Sequence, residues 1–394
     1  MEVNELVAKY QDYVRDLRRH FHQYPELSYE EQETTKFIAA ELDKMGIPYE
    51  INPEKNTGIV AVIKGPHDGK CVALRSDMDA LPVQEINTFD FKSKVDGKMH
   101  ACGHDGHMAV LLGAARMLVD MKDDICGTVY LVFQPAEENG TGSTYMMRFG
   151  DWFDKADTMF GGHIWLDLPA GQVSIEEGER MAAADEFYIT VHGSPGHGSQ
   201  PQQTVDAVVV ASAIVMNLQT VVSRNINPID SATITVGGIK SDTYRFNIIA
   251  GEAYMAGTTR YFNRDILPDM KERMKSVVEN TAKAYGATAE LDYREMVPPV
   301  VNDPECSRIA AGAVAKAMGP DAISKMRKIT GGEDFGFYMQ YKPCCFAFFG
   351  LYNEAIGACH SHHSNNFNLD DSVISGASGV YAQYAIDWLK EHKK

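Results

Sequence analysis

From residue 59 to residue 165, short apolar runs alternate with a helical stretch, and this alternation is what most constrains the fold. The runs 59–63, 71–74, 128–133 and 159–165 have strand length and composition. Between them, 107–121 has the spacing of a helix. Amphipathic patterns over 4–22 and 32–45 come first, the second closed by Gly46 and Pro48. Strands alternating with helices predict an α/β layer, a mostly parallel sheet flanked by helices.

The habit changes near residue 184. Strand patterns at 185–192, 232–236, 252–261 and 287–294 surround helical ones at 205–222 and 267–285. This order predicts an inserted α+β domain with a four-stranded antiparallel sheet over 184–295. The last hundred residues return to α/β habit, with helices over 305–318 and 373–390 and a strand over 345–351. The first domain is therefore expected to be discontinuous, 1–183 with 296–394.

Composition excludes several classes. With 44% hydrophobic and 23% charged residues in 394, the chain can bury a large core and is not disordered. A net charge of −17 argues against nucleic acid and anionic membranes as partners. The longest apolar run, 207–216, is too short to span a bilayer. The N-terminal residues show no secretory pattern, so a cytoplasmic location is expected. Seven cysteines without framework spacing are expected as thiols.

The densest chemistry is MHACGHDGHM, residues 99–108, with His100, Cys102, His104, Asp105 and His107. Thiolate, imidazole and carboxylate together are transition-metal ligands. The plainer alternative is a polar turn in which Asp105 caps a helix starting near His107. QPAEEN, 134–139, places Glu137 and Glu138 after a strand, where open α/β sheets build their sites. GGHIWLDLPAG, 161–171, ends another strand around His163, and HSHHSNNF, 360–367, supplies His360, His362 and His363. An adjacent acid pair, a lone histidine or a histidine cluster is commonly structural taken singly. Together they are too many ligand types for one structural zinc, and neither CxxC nor HExxH occurs. Two metal ions with open positions fit better.

Nine motifs in order resemble the amidohydrolase branch of the metal-dependent aminoacylase/carboxypeptidase superfamily, which includes hippurate, auxin-conjugate and N-acetyl-diaminopimelate hydrolases. They are RRHFHQYPELSYEE (18–31), LRSDMDALPVQE (74–85), HACGHDGHM (100–108), QPAEE (134–138), GGHIWLDLPAG (161–171), GSPGHGSQP (193–201), FNIIAGEAYMAGTTR (246–260), GGEDF (331–335) and HSNNF (363–367). Two positions depart from the usual family form: Asn247-Ile248-Ile249-Ala250 lacks its proline, and Asn365 stands where proline is frequent.

The resemblance implies two divalent ions (Zn, Mn, Co or Ni) in the discontinuous domain. Their ligands would be Cys102, His104, Glu138, His163 and His363, with Cys102 bridging. His363 is preferred to His362 because the family ligand stands four residues before the phenylalanine, here Phe367. It further implies Glu137 as general base, Asp79 as a carboxylate orienting a ligand, and His197 as support for an oxyanion. Asn247 and Arg260 would face a substrate carboxylate. The expected reaction is hydrolysis of N-acyl-amino acids, with the insertion acting as a lid and possible homodimer surface. A dipeptidase or carboxypeptidase of the same superfamily is the nearest alternative, although those enzymes usually place a carboxylate at the position of Cys102. A silent metal-binding homologue would be expected to have lost the base or a ligand. A serine or cysteine acyl hydrolase lacks its GxSxG elbow.

Overall fold

The structure, a computed structural model, describes residues 2–393. The chain divides into two compact units. One contains residues up to Arg180, Val301–Arg327 and the chain from Asp334 on; the other contains Met181–Val300 and Lys328–Glu333.

The first unit is built on a seven-stranded sheet. Its strands are β1 (Tyr49–Ile51), β2 (Ile59–Lys64), β3 (Lys70–Asp77), β4 (Gly127–Gln134), β5 (Thr158–Pro169), β6 (Val173–Ser174) and β7 (Cys344–Tyr352). They lie in the order β1-β2-β4-β3-β5-β7-β6. The four central strands β4, β3, β5 and β7 are parallel, and the edges are antiparallel. Central strands are apolar on both faces, as expected of a sheet covered on both sides.

The long helices are α1 (Val3–Gln23), α2 (Gln32–Met45), α3 (His104–Asp120), α4 (Pro304–Met318) and α5 (Ser375–Glu391). α1, α3 and α5 pack on one another, and α4 packs on α5. Small residues allow the close approach: a Cβ on Gly113 of α3 would lie 2.4 Å from Ser378 Oγ and 2.5 Å from Val14 Cγ2. The stretch Ser375–Ile386 of α5 is wholly buried.

α3 begins at His104, three residues earlier than its periodicity suggests. Gly103, at φ 96°, takes the N-cap position, so Asp105 lies inside the first turn and is not the cap. Its carboxylate is drawn instead into a buried cluster, 2.7 Å from His22 Nδ1 and 3.0 Å from Arg18 Nε.

The second unit holds four antiparallel strands in the order Ala232–Ser241, Glu252–Tyr261, Ala183–His192, Thr288–Val297. Helices Ala207–Thr220 and Leu267–Ala284 share a core in which Val210, Ile214 and Leu218 meet Met270, Met274 and Val278. Ala207–Asn225 is long and apolar enough to cross a membrane, yet its inner face belongs to this core. Segment 328–333, which no periodicity marks, joins this unit through a bridge between Met181 and Ile329. All seven cysteines are free thiols.

Candidate metal centre

Strand register gathers the chemistry at the carboxyl ends of the first unit's central strands. Asp77 pairs with Gln134 across β3 and β4, so the segments leaving these strands, with Asp79 and Glu137–Glu138, emerge side by side. β5 carries His163 opposite Phe348 of β7. The start of α3 brings Cys102 and His104 to the same place.

Donor atoms converge there. Cys102, His104 and His163 offer ligand atoms within 4.8 Å of one another, as do Cys102, Glu138 and His363, and also His104, Glu137 and Glu138. Cys102 Sγ is 3.4 Å from His163 Nε2, and His363 Nε2 is 3.5 Å from Glu138 Oε1. Cys102 thus belongs to two of the three groups. His362 joins none of them; its Nε2 lies 3.0 Å from the Ile164 carbonyl. His100 is buried with neither ring nitrogen hydrogen-bonded.

The imidazoles are set in tautomers suited to ligation. His163 Nδ1 donates to the Ile164 carbonyl at 2.6 Å, leaving Nε2 as a lone pair facing the thiol. His104 Nδ1 donates to the Asp79 carbonyl at 2.9 Å and lies 3.3 Å from its carboxylate, so its Nε2 faces the cluster. His363 sits in left-handed backbone, φ 65°, and its N–H donates to Ala101 carbonyl at 2.8 Å.

These residues fit a divalent cation. His104 Nε2 and Glu138 Oε1 are buried without a hydrogen-bond partner, an arrangement that costs free energy unless something electropositive meets both. Burial, then Glu138, raises the Cys102 thiol well above its ordinary pKa. A thiolate there requires a cation beside it. Burial likewise lowers His163 well below the usual imidazole range, which keeps it a neutral ligand. Sulfur, nitrogen and oxygen donors together suit transition ions.

Around the donors lies a buried polar frame. Asp79 accepts the Glu137 N–H on Oδ1 and the Glu138 N–H on Oδ2, both at 3.1 Å, and the Ser28 hydroxyl at 2.7 Å. Burial opposes its charge most, but the bond and charge of His104 and the Ser28 hydroxyl together outweigh burial and lower its pKa. Asp77, not singled out by the sequence, accepts from Arg75 Nη1 at 2.8 Å and His107 Nδ1 at 2.6 Å. His107 Nε2 in turn accepts the Ile164 N–H at 2.8 Å, which fixes the backbone next to His163. Arg75 also donates to Gln134 and Asp334, and Gln134 donates to Asp334. Asp77, Gln134 and Asp334 stand inside three of the nine motifs, which was the available signal.

The remaining sequence candidates lie in the second unit. Gly196–His197 pairs antiparallel with Ile248–Ile249, and Gly198 N–H donates to Asn247 carbonyl at 2.8 Å. This brings the loops of His197 and Asn247 together, and Gly198 permits it, since a Cβ there would lie 3.1 Å from the Asn247 backbone. Both residues are exposed. Ser199 N–H donates to His197 Nδ1 at 3.1 Å, so the ring proton stands on Nε2. Arg260, on the strand Glu252–Tyr261, donates to Thr258 Oγ1 and, at 2.9 Å, to the Thr259 carbonyl.

Known proteins resemble the chain over nearly its whole length. Residues 73–387 match peptidase family M20/M25/M40. The amidohydrolase YhaA of Bacillus subtilis (strain 168) is 37% identical, over 98% of this chain and 97% of its own. The IAA-amino acid hydrolase ILR1-like 4 of Arabidopsis thaliana is 37% identical, over 97% and 87%. Thermostable carboxypeptidase 1 of Saccharolobus solfataricus is 38% identical, over 96% of both chains. Among solved structures, the Bacillus subtilis YXEP protein, described as a dinuclear metal-binding peptidase, superposes with a TM-score of 0.85. It is 33% identical, over 97% of this chain and 99% of that one. The chain belongs to peptidase family M20/M25/M40.

Proposed function

We propose that the protein is a metal-dependent amidohydrolase that cleaves the amide bond of N-acyl-amino acids. The observation that carries this reading is the convergence of Cys102, His104, Glu138, His163 and His363 donor atoms beside Glu137. Cys102, Glu138 and His363 would hold one divalent ion, and Cys102, His104 and His163 the other, with the Cys102 thiolate shared. Bound ions there supply Lewis acidity, polarising the scissile carbonyl and lowering the pKa of a water.

The protein's own groups do the rest. Glu137 Oε2 lies 4.0 Å from His104 Nε2, and Oε1 accepts the Asp334 N–H at 3.3 Å. One oxygen is thus tethered while the other faces the donors. Glu137 takes the proton of the attacking water, holds it on its carboxyl and passes it to the leaving amine. Asp79 keeps His104 in its ligating tautomer and anchors the Glu137 and Glu138 N–H groups. His197, protonated on Nε2, donates to the oxyanion as it forms. Asn247 and the planar fork of Arg260 bind the substrate carboxylate.

Peptide cleavage is the second reading, favoured by the 38% identity to a thermostable carboxypeptidase. The deciding experiment is a hydrolysis screen after reconstitution with Zn, Mn, Co or Ni. The reading expects cleavage of N-acetyl-, N-benzoyl- or N-indoleacetyl-amino acids in preference to dipeptides. Preference for dipeptides supports the second reading, and no cleavage of either class overturns both.

The second unit is proposed as a lid and homodimer surface. Val208, Val209 and Met216 are outward-facing apolar residues, and Ala232–Ser241 is an edge strand. Light scattering on the purified protein tests this, a monomeric mass counting against it.

A further inference from the structure

The motif over 18–31 carries none of the proposed ligands, yet Arg18, His22 and Glu31 within it are buried. Ser28 reaches Asp79. Glu31 is fully buried at the start of α2; its Oε1 accepts the Ala136 N–H at 3.0 Å and its Oε2 meets Thr57 Oγ1 at 3.0 Å. With the Asp79 bonds to the next two residues, three successive N–H groups, from Ala136, Glu137 and Glu138, end on two buried carboxyl groups.

The turn they hold is one that an alanine adopts reluctantly. Ala136 has φ 55°, in the left-handed region, and its carbonyl is tied to Gly142 N–H at 3.1 Å. Relaxing that single residue to ordinary backbone would swing both following side chains. Gly58 lets the Thr57 segment close over the turn, since a Cβ there would lie 3.0 Å from Pro135 Cδ.

We propose that Glu31 is a positioning residue of the metal centre: together with Asp79 it clamps the left-handed turn at Ala136 and so aims Glu137 and Glu138. This rests on the metal-dependent reading above. The clamp needs an acceptor, not a charge. Burial, with Asp79 nearby, pushes the Glu31 carboxyl up to about 8. At neutral pH it is largely the neutral acid, whose carbonyl oxygen serves the Ala136 N–H, and a glutamine amide can copy both of its bonds.

The test compares Glu31→Gln with Glu31→Ala by titrating metal-free protein with Zn²⁺ against a chromogenic chelator, alongside kcat and KM. Glu31→Gln should match the wild type in every readout. Glu31→Ala should weaken Zn²⁺ binding about 10- to 100-fold and lower kcat with KM unchanged. Wild-type Zn²⁺ affinity and kcat in Glu31→Ala overturn the proposal. So does an equal loss in Glu31→Gln, which assigns the role to charge. A Glu31→Ala chain without native circular dichroism assigns Glu31 to the fold and also overturns it. If the wild type cleaves no N-acyl-amino acid, the functional reading falls while the Zn²⁺ titration still decides the role of Glu31.

Discussion

The candidate residues of the two units are held in different ways. Around Cys102, His163 and His104 are oriented by a carbonyl or carboxylate, and the Asp79 carboxylate is itself buried and hydrogen-bonded; His363 alone of the proposed ligands is exposed. His197 and Asn247 are exposed on loops joined by a two-residue ladder, and Arg260 bonds to its own strand. The first arrangement is preorganised: its polar network is deeply enough buried that losing one member strands another. The second leaves side chains adaptable, and their removal disturbs little else. The contrast separates the proposed chemistry, seated in a buried frame, from the proposed recognition, carried on exposed loops and a strand.

Substitutions can break or sharpen this contrast. The largest effect is expected for Glu137→Gln, a loss in kcat of about 10²- to 10⁴-fold with metal content unchanged by elemental analysis. Retained turnover would remove Glu137 as the base. His197→Ala should lower kcat about 10²- to 10³-fold, as loss of an oxyanion donor does, without moving the melting temperature. A drop in melting temperature would mean that this loop is as integrated as the core. Asp79→Asn is expected to cost about 10- to 100-fold in metal affinity or activity. Its melting temperature should fall too, because an amide nitrogen would face a backbone N–H. Arg260→Lys keeps the charge and loses the fork, so KM for a carboxylate-bearing substrate should rise about tenfold with kcat little changed.

The smallest effect concerns pH. The Glu31 carboxyl is raised from 4.5 to about 8, so the folded chain binds more protons than the unfolded one between those values. Its contribution to stability is fully present below about 4.5 and is lost as pH rises through about 8. Denaturant titrations of Glu31→Gln across that window should show a shallower decline than the wild type. Identical slopes would remove Glu31 as the titrating group.

Much of the fold was legible because it rests on local periodicity. The apolar runs at β2 to β5 fall close to their expected places, and the alternation of Ala183–His192 marks an antiparallel strand. The start of α3 was missed because Gly103 in left-handed backbone admits an earlier N-terminus than hydrophobic spacing implies. Segment 328–333 was missed because its tie to the second unit is a single non-local bridge. At the site, the metal-ligating residue types, His107 among them, stand out in sequence, whereas what Glu31, Asp77 and His107 touch lies in distant segments. Glu31 meets Ala136, and His107 meets both Asp77 and Ile164, pairings that no spacing rule reveals.

The discontinuous first unit bears on the order of assembly during synthesis. β5 cannot gain its parallel neighbour β7, nor α3 its partner α5, until the late part of the chain has been made. Met181–Val300, which supplies all four strands of the second unit's sheet, is translated before that point and can fold first. His363 is delivered between β7 and α5. A nascent chain stalled before residue 344 would therefore expose an unfinished sheet edge and lack one proposed ligand. Metal capture would be among the last events in making the protein, after the long-range pairing of β5 with β7.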